Sequence, residues 1–220
     1  MIFKSTLMDK DAVLRSLRRI SHEIVEKNKG VDNLCLVGIL RRGVPMARII
    51  AENIKRIEGV DINVGTLDIS AHRDDIDFRG ISEDNKTDIP FEISGKTVVL
   101  VDDVLFTGRS VRAAMDALIS MGRPAKIQLA TLIDRGHREL PVCANYIGKN
   151  FPTARTELIK VYFEGIDEET CVKLYDIEDN MNRDRIPFPT EKDEARFHKY
   201  EKYHKVLLNQ VAEYQKQGLL

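Results

Sequence analysis

The chain has 220 residues, of which 43% are hydrophobic and 31% charged, an ordinary balance for a water-soluble domain with one sizeable core. This length favours one domain with an appendage over two full domains. The 34 basic and 35 acidic residues leave a net charge of −1, so a nucleic-acid partner would need a local basic patch. No apolar run approaches the ~18 residues of a membrane span, and the N-terminus lacks a secretory signal, so we expect a cytoplasmic protein without a membrane partner.

The cysteines and histidines do not indicate a metal site or a disulfide. The three cysteines are far apart in the sequence, and no C-x-x-C pair occurs: Cys35, Cys143 and Cys171. The five histidines show no metal-ligand spacing: His22, His72, His137, His198 and His204. We therefore predict reduced thiols in a reducing compartment and no protein-held metal.

The first 135 residues predict alternating strands and helices. In chain order these are a helix over 10–28 capped by Asp9, a strand over 33–39, a helix over 43–59, a strand over 62–70, a strand over 96–103, a helix over 108–122 and a strand over 125–134. This order predicts an α/β fold with a central, mostly parallel sheet flanked by helices. A polar stretch of about 20 residues, 71–90, interrupts the pattern, and loops of that length are typical of functional lids or of disorder.

The end of the chain predicts one more helix. Pro187 and Pro189 interrupt regular structure, and Thr190 can then cap a helix over about 190–216. Five of its residues are spaced alternately four and three apart, as in a short coiled-coil seam: Tyr200, His204, Leu207, Val211 and Tyr214. This face could pack on its own subunit or contact another copy of the chain, and the pattern is too short to decide between them.

The stretch "VVLVDDVLFTGRS" (98–110) carries the chemistry. An apolar strand runs into Asp102 and Asp103, and a Thr-Gly turn then opens a helix. Helix capping by Asp contributes only ~0.3–1 kcal/mol and does not account for two acids at the end of a buried strand. Two carboxylates can accept hydrogen bonds from a vicinal diol, and the backbone N–H groups of a helix N-terminus favour a phosphate. Together they predict a site for a ribose 5-phosphate.

Two other polar turns should lie at the same edge of the sheet. One follows Gly38, and the other is the Asp134-Arg135-Gly136 turn. Ligands of parallel sheets bind at the carboxyl ends of the strands, so three such ends would form one crevice.

Residues 98–110 resemble the phosphoribosyl pyrophosphate (PRPP) loop of the type I phosphoribosyltransferases. Four further stretches are similar to the PyrR family of bifunctional pyrimidine-operon attenuators and uracil phosphoribosyltransferases: "LVGILRRGVPMA" (36–47), "SAHRDD" (70–75), "AMDALISMGRP" (114–124) and "LIDRGHRELPVCANYIGKNFPT" (132–153). The resemblance covers roughly residues 9–178. It implies a type I phosphoribosyltransferase domain over 1–178 with a small hood near 71–90, and a C-terminal extension over 179–220.

The same resemblance implies two activities. One is the conversion of uracil and PRPP to UMP and pyrophosphate, with Mg²⁺ carried in on PRPP and few or no direct protein ligands to the metal. The other is binding to the leader messenger RNA of pyrimidine genes when UMP or UTP is bound. A homodimer or higher homo-oligomer is expected.

The resemblance also assigns site residues. The implied catalytic residues are Asp102, Asp103, Arg73 and Arg42. The implied PRPP-binding residues are Leu40, Arg41, Asp102, Asp103, Thr107, Gly108, Arg109, Ser110 and Val111. The implied nucleobase-binding residues are Phe106, Ile133, Asp134 and Arg135. Arg73 would reach the pyrophosphate from a mobile hood that excludes water.

Phe106 bears on which base is transferred. Purine-transferring relatives commonly have an Asp just before the Thr-Gly pair, and an apolar ring cannot act as a general base. Phe106 therefore favours a pyrimidine, although a purine phosphoribosyltransferase is the alternative.

RNA binding would depend on basic residues. On the first helix a basic stripe lies opposite Leu14, Leu17, Ile20 and Ile24, and consists of Arg15, Arg18, Arg19 and His22. His137, Arg138 and Lys149 add positive charge, and a dimer would join two such patches into a concave surface for an RNA hairpin. A solvated helix face is the ordinary alternative.

One departure from the family pattern bears on RNA. Some members carry an arginine where this chain has Cys143, and often a threonine where it has Arg18. Catalysis without RNA control, or RNA binding with little catalysis, therefore both stay open.

Overall fold

The computed structural model describes residues 2–72 and 86–176, together with residues 194 and 198. Within these ranges the elements are β1 (Ile2–Met8), α1 (Lys10–Asn28), β2 (Leu34–Ile39), α2 (Gly43–Glu58), β3 (Asn63–Leu67), a short 3₁₀ helix (Ser70–His72), β4 (Thr97–Leu105), α3 (Arg109–Met121), β5 (Lys126–Asp134), β6 (Tyr146–Asn150), β7 (Glu157–Tyr162) and β8 (Cys171–Asp176). The described residues form two compact units, the larger made of Met8–Pro152 and Val161–Val172.

The larger unit contains a five-stranded sheet in the order β3-β2-β4-β5-β6, and every neighbouring pair is parallel. The predicted α/β class with a parallel sheet and crossover helices is confirmed. Strand β2 is buried along its whole length, as its unbroken apolar sequence requires. Because all five strands run the same way, their carboxyl ends meet at one edge.

Helix α1 begins and ends where its sequence predicts. The Asp9 carboxylate accepts a hydrogen bond from the Ala12 N–H at 2.7 Å, and Lys29 closes the helix in the left-handed conformation. The buried face includes Val13, with Leu14 only half-buried, so the apolar stripe is rotated slightly from the predicted one. Helix α2 ends at Gly59, as predicted.

Strand β4 is longer than predicted. Its pairing with β5 continues through Asp102 and Thr131 to Leu105 and Asp134, two residues beyond the predicted end. The two carboxylates therefore belong to the last part of a hydrogen-bonded ladder, which holds their backbone in place. Strand β3 instead ends three residues early, at Leu67, before the 3₁₀ helix.

The last residues of the predicted polar loop over 71–90 are hydrogen-bonded to β3 and do not form an open loop. Thr66 and Asp88 exchange two backbone hydrogen bonds, at 2.8 and 2.9 Å, so residues 86–90 lie beside β3. Asp68 receives a hydrogen bond from the Lys86 N–H at 3.4 Å and donates its own backbone N–H to Thr87 at 3.0 Å. Arg73 and the predicted tail helix, apart from residues 194 and 198, lie outside the described residues.

The smaller unit includes most of a second sheet, with the strand order β1-β8-β7. Lys4 and Glu157 form an ion pair at 2.7 Å, and the Phe3 and Tyr175 rings meet edge to face at 6.0 Å. The sequence did not predict these three strands or β6. In the part of the chain that is described, no helix combines the length and the apolar character needed to cross a bilayer.

Candidate functional site

Asp102 and Asp103, here called the acidic pair, lie near the carboxyl end of the central strand β4. Asp102 is 9% exposed and Asp103 is half-buried. The Asp103 N–H donates to Asp102 Oδ1 at 3.0 Å, which orients the first carboxylate. Burial raises the pKa of Asp103, and the nearby positive charge of Arg42 together with a hydrogen bond involving Asp102 opposes that rise. The pair is thus shielded from solvent and faces a cation.

Helix N-termini follow β2 and β4 at this edge. Within the described ranges, neither α2 nor α3 has a side-chain cap or an acidic residue in its first turn. The helix dipole and the first-turn N–H groups favour an anion at each position, and in α3 the Arg109 N–H is also held by the Thr107 hydroxyl at 3.4 Å. The acidic pair therefore lies at the sheet edge that carries two anion-favouring helix starts.

Glycines allow α2 to approach the sheet closely. A Cβ on Gly43 would overlap the Val101 carbonyl oxygen of β4, and a Cβ on Gly38 would lie 2.6 Å from Val44 Cα. The α2 N-terminus consequently lies directly beside the residue that precedes the acidic pair. The Leu40–Arg41 peptide bond in the intervening turn is cis, and the Leu40 N–H donates to Leu67 O at 2.9 Å.

The segment predicted to bind the 5-phosphate, residues 107–111 and here called the phosphate loop, starts α3. Gly108 has φ 94°, a left-handed conformation that favours glycine, and the Thr107 hydroxyl accepts a hydrogen bond from the Arg109 N–H at 3.4 Å. The Arg109 guanidinium pairs with Glu139 at 3.0 Å, so this predicted PRPP residue directs its side chain toward the segment after β5. Ser110 is half-buried and Val111 is buried in the first turn of the helix.

Arg42 has a partner that the sequence did not indicate. Its guanidinium makes a two-pronged contact with the Asp167 carboxylate, at 2.9 and 3.3 Å, and lies 5.6 Å from the centre of the Tyr162 ring. Burial works to raise the pKa of Asp167, but hydrogen bonds from Arg42 and the Phe163 N–H, with the charges of Arg42 and Arg41, outweigh it and lower that pKa. No spacing rule connects positions 42 and 167, so only the fold reveals this pair.

The predicted nucleobase residues form a layered surface next to the phosphate loop. The Arg135 guanidinium lies over the Phe106 ring at 4.0 Å, and the His137 ring meets the same ring edge to face at 6.0 Å. Ile133 is fully buried within β5, and its carbonyl accepts a hydrogen bond from the Thr131 hydroxyl at 3.0 Å, so a base could not contact this predicted residue directly. Asp134 already accepts hydrogen bonds from the Gly136 N–H, at 2.9 Å, and from Arg138.

The predicted RNA-binding residues fall into two groups. Arg15, Arg18, His22 and Lys149 are exposed. Arg19 is exposed but ion-pairs with Glu23 and donates to the carbonyls of Ile147 and Gly148, at 2.9 and 2.6 Å, which brings the stripe of α1 next to β6 and Lys149. Arg138 and His137 are half-buried.

Other side chains of the described ranges do not form a metal centre. No group of three or more His, Cys, Asp or Glu residues there could hold an ion. None of the three cysteines forms a disulfide, and burial raises the pKa of the Cys35 thiol to about 11.

The family described as "Phosphoribosyl transferase domain" matches residues 5–152, so the chain is a phosphoribosyl transferase, a class with which the parallel sheet and the acidic pair at its carboxyl edge agree. A curated relative from Acetivibrio thermocellus, named bifunctional protein PyrR, is 56% identical over 181 residues, which cover 81% of this chain and 97% of the relative. This chain belongs to the family of bifunctional PyrR proteins.

Other relatives and solved structures agree. Proteins of the same name from Caldicellulosiruptor bescii and Bacillus cereus are 58% and 53% identical, covering 76% and 79% of this chain and 92% and 98% of the relatives. A hypoxanthine phosphoribosyltransferase from Staphylococcus aureus matches with a TM-score of 0.60 at 19% identity, over 78% of this chain and 92% of that chain. The enzyme from Trypanosoma cruzi matches with a TM-score of 0.62 at 17% identity, over 79% and 97%. At these identities the solved structures show the fold alone.

Proposed function

We propose that this protein converts uracil and PRPP to UMP and pyrophosphate, and that it binds the leader messenger RNA of pyrimidine genes in response to uridine nucleotides. The observation that carries the first activity is the acidic pair at a sheet edge that also holds two uncapped helix N-termini. An activated ribose carries a diol between two phosphate groups, and this edge offers carboxylates for the diol and two anion sites. Membership of the bifunctional PyrR family supports both activities.

Each part of the donor has a proposed partner. The acidic pair accepts hydrogen bonds from the ribose hydroxyls, and the phosphate loop binds the 5-phosphate through the start of α3. The pyrophosphate lies at the start of α2, with the backbone of Leu40 and the side chains of Arg41 and Arg42. Arg73 would join it from the hood. Stabilisation of the departing charge, together with fixed placement of the base, lowers the barrier to transfer.

Mg²⁺ is proposed to enter with PRPP. It usually binds through one or two carboxylates plus substrate phosphates and keeps several waters. The acidic pair is proposed to hold the ribose hydroxyls, so the ion would be held mainly by the phosphates of PRPP and by water, with few or no direct protein ligands. When bound, the ion would neutralise charge on the pyrophosphate.

The base is proposed to be uracil because the surface next to the phosphate loop lacks an acid at position 106. Phe106 presents a ring under the Arg135 guanidinium, and Asp134 is already held by Gly136 and Arg138. A purine that needs a carboxylate to handle its ring proton would not find one at position 106. Uracil would be held by stacking and by main-chain groups at the end of β5, beside Asp134 and Arg135.

The RNA activity is supported by the exposed basic residues of α1 and by Lys149 beside them. Phosphate contacts supply most of the affinity of such surfaces, and a homodimer would join two of them. A cytoplasmic location follows from the proposed RNA target, and the three free thiols are consistent with it. UMP and UTP are the proposed signals, because the site at which UMP forms would also be the site at which a uridine nucleotide regulates RNA binding.

The proposal is tested with a panel of bases and a leader RNA. With PRPP and Mg²⁺, uracil is expected to give UMP, while hypoxanthine and guanine give no product. In filter binding at low salt, UMP is expected to tighten binding of leader RNA at least tenfold, because only the liganded state would fit the RNA. Purine transfer would contradict the base assignment, and RNA affinity that is unmeasurable with UMP would contradict the regulatory role.

Asp167→Asn is expected to raise the KM for PRPP about tenfold with a smaller effect on kcat, since an amide loosens the two-pronged hold on Arg42. The magnitude is modest because the Arg42 side chain is about a third exposed and the pair is screened by solvent. Steady-state kinetics at varied PRPP measure it. The matched control is Glu164→Gln, in the same turn, which among the described residues weakens an exposed pair with Lys10. An unchanged or lower KM for Asp167→Asn would show that Asp167 does not orient Arg42.

A further inference from the structure

Arg138 makes an unusually large set of contacts for a surface arginine. Its side chain is 23% exposed. Its guanidinium forms an ion pair with Asp134 and donates hydrogen bonds to four backbone carbonyls: Val142 at 3.0 Å, Phe106 at 2.6 Å, Gly136 at 3.1 Å and Leu105 at 3.4 Å. One side chain therefore connects the end of β4, the end of β5 and the segment that follows.

That segment, residues 136–142, is here called the strap, and it holds the phosphate loop at further points. The Thr107 carbonyl accepts hydrogen bonds from the N–H groups of Glu139 and Leu140, at 3.0 and 3.1 Å. Glu139 pairs with Arg109 at 3.0 Å. A Cβ on Gly108 would lie 3.4 Å from both the Leu140 and Val142 side chains, so the loop packs directly on the strap.

The carbonyls of residues 105, 106 and 107 are thus all engaged by the strap, and that of residue 105 also by Arg135, directly after β5. Leu105 O also accepts from the Arg135 N–H at 3.1 Å. Because these carbonyls are held by hydrogen bonds to the strap and to Arg135, the backbone of the phosphate loop is fixed where α3 begins. Because Phe106 is one of these residues, its ring and the Arg135 guanidinium above it depend on the same support.

We propose that Arg138 is a positioning residue for the transfer reaction. It holds the phosphate loop and the Phe106–Arg135 surface in register, so that the 5-phosphate site and the base site form together. This inference rests on the proposed function and changes the part assigned to Arg138, whose charge is used inside the chain and not on an RNA-facing surface. Removing a half-buried charge from such a network leaves Asp134 and several carbonyls without their donor.

The test compares Arg138→Gln with Arg123→Gln, which removes the same charge from an exposed position at the end of α3. Arg138→Gln is expected to raise the KM for both PRPP and uracil by about ten- to a hundredfold, as loss of one buried charged donor commonly does. Arg138→Lys keeps the charge but only one point of contact and should fall between. Arg123→Gln should leave both KM values within about twofold.

A merely structural role predicts a different result. Loss of folded protein would lower kcat in proportion to the folded fraction and leave both KM values unchanged, and that result would overturn the proposal. Kinetics of Arg138→Gln equal to those of Arg123→Gln, with RNA affinity alone reduced, would also overturn it. Thermal melting of each variant reports the folded fraction.

A second variant covers the case in which Arg138→Gln does not fold. Glu139→Gln keeps Arg138 and loosens the strap only at Arg109, so it should raise the KM for PRPP in the same direction, by a few fold. An unchanged KM there contradicts the proposal. PRPP binding is also measured by calorimetry in the absence of uracil. Weaker PRPP binding by the variant would be detected there even if the unmodified protein formed no UMP, so this test is separate from that of the proposed function.

Discussion

Replacing both acids, as Asp102→Asn with Asp103→Asn, is expected to lower kcat/KM for UMP formation by about a hundred- to ten-thousandfold. Each carboxylate accepts a charge-assisted hydrogen bond worth about 1.5–3 kcal/mol, so two together give roughly 3–6 kcal/mol of lost binding. PRPP affinity, measured by calorimetry, should fall with it. Asp116→Asn is the matched control, since Asp116 is exposed on α3, away from the acidic pair, and its carboxylate pairs with Arg112.

The single variant Asp103→Asn should also separate stability from activity. Because burial raises the pKa of Asp103 in the folded protein, the folded state holds its proton more tightly than the unfolded state does. Stability contributed by this group is therefore lost as the pH rises from its unfolded value, ~3.9, through the raised folded value. At neutral pH we expect Asp103→Asn to have a higher Tm than the unmodified chain while PRPP binding falls. If both acids can be neutralised with donor affinity intact, the proposed site is wrong.

Gly43→Ala is expected to remove most activity by moving α2 away from β4. The added Cβ would overlap the Val101 carbonyl oxygen, so the helix start and Arg42 must shift relative to the acidic pair. Overpacking of this kind costs about 1–3 kcal/mol of stability, and a misplaced pyrophosphate site lowers kcat/KM by about a hundredfold. Chemical denaturation and steady-state kinetics measure the two effects.

Gly59→Ala is the matched control at the other end of the same helix. Gly59 has φ 72°, and a Cβ there would have no described atom within 4 Å. It should cost about 1 kcal/mol, because the left-handed conformation disfavours alanine, and leave kcat/KM unchanged. Equal activity of the two variants would show that close approach of α2 to β4 is not required for the site.

Local rules determined the helices and the position of the acidic pair. Asp9 and Gly59 sit where a helix needs a cap or a left-handed residue, so the bounds of α1 and α2 follow from residues within one turn. Strand β2 follows from an unbroken apolar run, and the Asp-Asp-x-x-x-Thr-Gly order alone indicates a sugar diol beside a phosphate. These features depend on residues that are close together in the chain, so they can be predicted from the sequence.

Strands without a strong pattern were missed. Strand β6 is "YIGKN", in which only Tyr146 and Gly148 are buried, and its pairing with β5 depends on Gly148 fitting against the Leu132 carbonyl. Too few apolar positions alternate there to predict a strand. Strand β4 extends beyond the acids because β5 offers Ile133 and Asp134 as ladder partners for Val104 and Leu105, a long-range condition.

The sequence by itself therefore determined the class of fold, the family and the residues that should meet the ribose donor. Only the tertiary structure decided which charges are already paired inside the chain: Arg42 with Asp167, Arg109 with Glu139, and Arg138 with Asp134. The reason is physical. A basic side chain has the same appearance in the sequence whether it faces solvent or a carboxylate, and its partner is set by which segments the sheet brings together across many residues of chain.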